Sequence, residues 1–152
     1  MNNNELLNRL LGITKLRVVK SEFIGEEELH LEVVSTLPVA SCPDCGRVSN
    51  QVHDESEVQL IRDLSIAERR SYLVYRARRF KCEHCKKTFV ERVELKRANV
   101  SYTERYEHYI YQCVRRQSVS QVAQDEGLSE EAVQAIFEHW AKKRLRHVAT
   151  RQ

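Results

Sequence analysis

The sequence predicts an α+β fold, strand-rich at first and helical in its last third. Three observations carry that reading. Apolar and polar residues alternate from Lys15 to Leu37; two CxxC pairs bracket a stretch rich in branched and aromatic residues; after Ser101 the apolar spacing becomes that of a helix. With 152 residues, 41% of them hydrophobic and 31% charged, the chain has room for one ordinary domain or two small ones, and wholesale disorder is excluded.

The elements follow in order. Leu6 to Leu11 suggests a short apolar helix stopped by Gly12. Lys15 to Ile24 and Glu28 to Leu37 read as a hairpin, with Leu29, Leu31 and Val33 on one face; Gly25 and Glu26 to Glu28 form its solvated turn. Pro38 ends the hairpin. The segment Tyr72 to Phe80 does not alternate cleanly, because Leu73, Tyr75 and Ala77 share a face that Phe80 leaves, which predicts a bulge near Arg78 and Arg79. Beyond Ser101, three helices are expected. The first opens on a Ser101/Glu104 capping box and carries Tyr106, Ile110 and Cys113 on its apolar stripe. The second covers Val119 to Glu126, behind a Ser118/Gln121 box and ahead of Gly127; the third starts after Ser129 with Val133, Ile136, Phe137 and Trp140 inward. The implied division is 1–40, leader helix and hairpin; 41–97, the cysteine-bearing β unit; and 98–152, the helices.

The start, MNNNELLNRLLG, lacks a basic leader and a long apolar run, which predicts a cytoplasmic protein with no membrane contact. In a reducing compartment, paired cysteines are metal ligands more often than disulfides. Cys42, Cys45, Cys82 and Cys85 have the spacing of a tetrahedral four-sulfur site, for which zinc is the default ion, although iron accepts the same ligands. Gly46 after the first pair permits a left-handed backbone; Lys86 holds the equivalent place after the second and offsets thiolate charge. A redox role fits poorly, because a redox CxxC opens a helix and only one pair is needed. Four protein ligands leave no open position for hydrolysis, so the site is structural. His53 and His84 read as surface histidines. Cys113 and His108 lie about 140° apart around a helix, too far for a nucleophile and its base.

The charge is unevenly spread: −5 over residues 1–59, +7 over 60–97 and +1 over 98–152. A basic middle suits a polyanionic partner. The segment VSQVAQDEGLSEEAVQAIFEHW has a helix-turn-helix pattern, with small Ala123 at the crossing and Gly127 at the turn. Its second helix points Glu130, Glu131, Gln134, Ala135, Glu138 and His139 outward, and of these Gln134 suits an adenine edge. Base contacts are therefore expected from Gln134 and His139. Phosphate contacts fall to Arg76, Arg78, Arg79, Lys86, Lys87, Arg115, Arg116, Lys142 and Lys143.

CPDCGRVSNQVHD, IRDL at 61–64, RARRFKCEHCKKTFVER at 76–92 and the helix-turn-helix, in that order, resemble the N-terminal region of bacterial insertion-sequence transposases of the ISL-three family. The resemblance implies a zinc finger on Cys42, Cys45, Cys82 and Cys85, and DNA-binding helices over 118–140. Family members continue into a catalytic domain of the DDE type, and no acidic residue here maps onto its carboxylates. The implied function is binding of double-stranded transposon ends without strand cleavage, so the chain is not expected to be an enzyme. The alternative is an interaction module that forms a homodimer, or pairs with a full-length transposase and inhibits it.

Overall fold

The computed structural model describes residues 1–92 and 94–150. Two compact units divide the chain, Met1–Ser101 and the helices from Tyr102 onward.

In the first unit, helix α1 (Asn3–Leu11) starts three residues earlier than its apolar pattern suggests. Asn2 and Glu5 form a reciprocal capping box that supplies the missing turn, and Gly12 ends the helix at φ 64°. Strands β1 (Leu16–Ile24) and β2 (Glu28–Ser35) form the expected hairpin. Their register slips between Val18 and Lys20. There α1 meets the strand: Asn8 accepts from the Val18 N–H at 2.7 Å and Asn4 donates to the Val19 carbonyl at 3.3 Å.

Two short strands follow, β3 (Ala40–Ser41) and β4 (Val48–Ser49), and then β5 (Val52–Glu55). β6 (Gln59–Ile66) and β7 (Arg69–Tyr75) are joined by Ala67 and Glu68, both left-handed at φ 50° and 66°, a tight turn with no glycine or asparagine to announce it. β7 lies parallel to β2, giving a sheet of order β1-β2-β7-β6. One face buries Leu31, Val33, Ile61, Leu73 and Tyr75, with Leu11 of α1 packed among them.

The bulge expected near Arg78 and Arg79 is instead a break. The extended run stops at Tyr75 and resumes as β8 (Arg78–Lys81), which joins a different sheet, β5-β8-β9, with β9 spanning Thr88–Val90. Ala77 is buried in the first core and Phe80 in the second, so the change of face noted in the sequence marks a change of sheet. The bulge-like slip in this pairing falls on the partner strand, between Val52 and Asp54.

The second unit holds α2 (Glu104–Val114), α3 (Val119–Glu126) and α4 (Glu130–Ala149). The cap of α2 is Thr103, not Ser101: its hydroxyl accepts from the Tyr106 N–H at 3.2 Å and Glu104 becomes the first helical residue. Ser118 caps α3 through the Gln121 N–H, but the Gln121 side chain bonds Asp125 at 2.8 Å, so the reciprocal half of that box is missing. Ile110, Val122, Val133 and Ile136 are almost fully buried, while Phe137 is only half-buried. Among the described residues no helix is long and apolar enough to cross a membrane.

Candidate metal centre and nucleic-acid interface

Each CxxC pair sits on a tight turn, and the two turns repeat one hydrogen-bond pattern. In the first, Cys42 N–H donates to Arg47 O and Gly46 N–H to Cys42 O, both at 2.8 Å. In the second, Cys82 N–H donates to Lys87 O at 2.9 Å and Lys86 N–H to Cys82 O at 2.8 Å. The repeat requires a left-handed residue after each second cysteine: Gly46 takes φ 75° freely and Lys86 takes φ 61° against its side chain.

Contacts between the turns bring them together. Ser49 Oγ donates to Lys81 O, and Lys81 N–H donates to Gln51 O at 2.9 Å. Phe80 and Phe89 stack beside the cysteines at 5.9 Å between ring centroids. The four Sγ atoms of Cys42, Cys45, Cys82 and Cys85 consequently lie within 4.8 Å of one another, with Cys45 and Cys82 at 3.6 Å. A tetrahedron with metal–sulfur bonds of about 2.3 Å has edges of about 3.8 Å, so these four residues can hold one ion. The electrostatics agree with that use. The Cys85 N–H, directed at the Cys82 sulfur, draws that thiol down to about 7, whereas bonding to the Cys45 thiol pushes Cys85 up to about 12. Four sulfurs so crowded cannot all ionise without a cation among them. His53 and His84 are exposed and outside the group.

In the helical unit, α3 ends in a Schellman turn. Gly127 adopts φ 65°, and the Leu128 N–H reaches back to Ala123 O at 2.9 Å. Ala123 and Val122 are buried where α3 meets α4, and Ser129 caps α4 through the Ala132 N–H at 3.1 Å. This is the helix-turn-helix corner.

Comparison with known families bears on both halves. A model described as the zinc-finger of transposase IS204/IS1001/IS1096/IS1165 matches residues 38–85, and one described as the helix-turn-helix domain of transposase family ISL3 matches residues 91–141. The chain belongs to the ISL3 transposase family. No curated protein and no solved structure matches it. The ion of this ISL3-family site is zinc, and the combination of ribbon and helix-turn-helix makes the chain a zinc-dependent DNA-binding protein.

The cations singled out in the sequence have several different environments. Arg78 is bound inward: its guanidinium pairs with Glu91 at 2.8 Å, donates to Leu37 O at 2.6 Å and lies over the Phe80 ring. Glu91 also accepts from the Tyr75 hydroxyl at 2.8 Å and the Arg78 N–H at 2.9 Å. Burial works against the Glu91 carboxylate, but the Arg78 donors outweigh it and hold the carboxyl below its usual range. Burial first, then the bond to Glu91, pushes the Tyr75 phenol upward. Arg79 forms a two-pronged pair with Asp54 on the surface, and Lys87 lies 3.7 Å from Asp44. Arg76 and Lys86 are exposed.

In the second unit Arg116 and Lys142 are exposed, Arg115 lies over the Tyr111 ring and Lys143 over the Trp140 ring. Gln134 donates to Glu138 at 2.9 Å. His139 is half-buried, its ring edge-on to Trp140 at 4.8 Å. Glu91 itself went unnoticed in the sequence, because thirteen residues separate it from Arg78 and no short-range pattern links them.

Proposed function

We propose that this chain binds the double-stranded ends of an insertion sequence in a bacterial cytoplasm and does not itself cut them. Residues 41–97 act as a zinc-held mount, 98–152 as the helical reader and 1–40 as a bracing hairpin. Cys42, Cys45, Cys82 and Cys85 hold the ion. The observation that carries the reading is the α3–α4 corner, matched by the ISL3 helix-turn-helix model, in one chain with a four-sulfur centre matched by the family's zinc finger.

The first half of α4 enters the major groove, where Gln134 exchanges Glu138 for an adenine edge. Because Arg78 is committed to Glu91 and Arg79 to Asp54, phosphate contacts fall to Arg76, Lys86, Lys87, Arg115, Arg116, Lys142 and Lys143, and because His139 leans on Trp140 the base contact falls to Gln134. Selection of sites from a random pool, followed by anisotropy on the best site and on a scrambled duplex, tests this. Gln134→Ala should reduce discrimination between the two by about 1–3 kcal/mol. Unchanged discrimination, or binding indifferent to salt, refutes it.

One feature favours a second reading. Glu130, Glu131 and Glu138 stand on the exposed face of α4 and repel phosphate. An acidic helix face suits a basic protein partner, and a full-length transposase is the natural candidate. On that reading Gln134→Ala/His139→Ala leaves sequence-selective DNA binding untouched, and the Glu130→Lys/Glu131→Lys variant loses a complex that pull-down with the transposase detects.

A further inference from the structure

The helix-turn-helix match ends at residue 141, but α4 continues to Ala149 as a single rod of 20 residues. Its second half and α2 enclose an open groove of about 920 Å³. Arg115, Lys143, Arg144 and Arg146 line it, and among the described residues Glu104 is its one lining carboxylate. The floor is aromatic but inaccessible: Trp140 and Tyr111 are 6% and 9% exposed. What the rings do is hold cations, Lys143 Nζ lying 4.8 Å from the Trp140 centroid and the Arg115 guanidinium 6.0 Å from that of Tyr111. The buried indole N–H of Trp140 has no acceptor among the described residues.

From this arrangement we infer that the α2–α4 groove is a separate grip for the sugar–phosphate backbone of duplex DNA, outside the reading face of the helix-turn-helix. The inference rests on the DNA-binding reading above. Covered rings offer no platform on which a base can stack, and four cations face the single carboxylate of Glu104, a balance that suits phosphate. Side chains already held over rings lose less freedom when they meet a phosphate. The first half of α4 is acidic outward and cannot hold phosphates itself. A rod of 20 residues is about 30 Å long, so a duplex seated on one half comes within reach of the other.

Backbone contacts ignore sequence, so a random-sequence duplex is a sufficient probe. Its affinity for the zinc-loaded full chain is measured against salt for the wild type, for Arg115→Ala/Lys143→Ala/Arg146→Ala, and for Arg144→Gln/Arg146→Gln, which leaves both ring clamps intact and guards against misfolding of the triple variant. Each phosphate contact contributes about 0.9 to the slope of log K against log salt, so the slope should become shallower by about 2–3 in the triple variant and about 1–2 in the double. Gln134→Ala should keep the full slope. Folded variants with wild-type slopes overturn the groove while leaving the DNA-binding reading standing. A wild type that ignores duplex but holds poly-glutamate overturns both.

Discussion

The cysteine-bearing end of the first unit and the helical unit both hold short elements together, by opposite means. Around the thiols the buried core is Cys42, Phe80, Cys82 and Phe89, and the strands it joins are two to four residues long. The helices bury Tyr106, Ile110, Val122, Val133, Ile136 and Trp140. So small an apolar core cannot offset the entropy of ordering its backbone, and the ion supplies the difference; the helices need no such help. Rigidity near the basic strands is therefore conditional on metal, whereas the helix-turn-helix corner is held by packing alone.

The largest test of that contrast is removal of the metal. Binding free energies for structural zinc are on the order of 10 kcal/mol, so a strong chelator, or Cys82→Ser, should unfold the ribbon and expose its thiols to titration. The chain has one tryptophan, Trp140, and it belongs to the helices. Its emission should hardly change. An emission shift that tracks chelation breaks the contrast.

The converse is Ile110→Ala, which empties a fully buried site in α2. A loss of about 3–4 kcal/mol is expected in the transition that Trp140 reports, with zinc content unaltered by elemental analysis. Glu91→Gln comes next, at about 2–3 kcal/mol, because it strips the charge facing Arg78 in the first unit. Since the Glu91 carboxyl is held below its ordinary value of about 4.3, its contribution is complete above that pH and disappears as pH falls through the lowered value. Stability of the wild type should therefore decline below about pH 4.3 more steeply than that of the variant, in denaturant melts followed across that range.

The smallest effects separate the two zinc turns. Nothing lies within 4 Å of a Cβ built on Gly46, so Gly46→Ala should cost about 1 kcal/mol from backbone conformation alone. Lys86→Gly relieves the same strain and should stabilise the ribbon by about 0.5–1 kcal/mol in metal-competition titrations. Equal responses at the two positions would mean that the turns are not equivalent after all.

Much of this was legible in order along the chain. The hairpin faces, the α3 limits, the start of α4 and the paired cysteines follow from residues within a few positions of one another. Two features were misread and one was missed. Thr103, not Ser101, caps α2, and the run through Arg78 breaks instead of bulging; the Ala67–Glu68 turn went unseen because it lacks the residues that usually mark one. Arg78 is the instructive case, since in sequence it is one of three arginines in the basic run RARRFK and only its distant carboxylate makes it structural.

Spacing alone determined the zinc turns and the helix-turn-helix corner, because caps, Schellman bonds and paired thiolates act over three to five residues, within reach of a single turn of chain. Tertiary structure decided that β7 lies parallel to β2, that Arg78 is consumed and Arg76 exposed, and that α2 and the end of α4 enclose a groove of cations. Those outcomes depend on which distant segments bury one another best, a choice made by total area and hydrogen-bond satisfaction and not by local pattern.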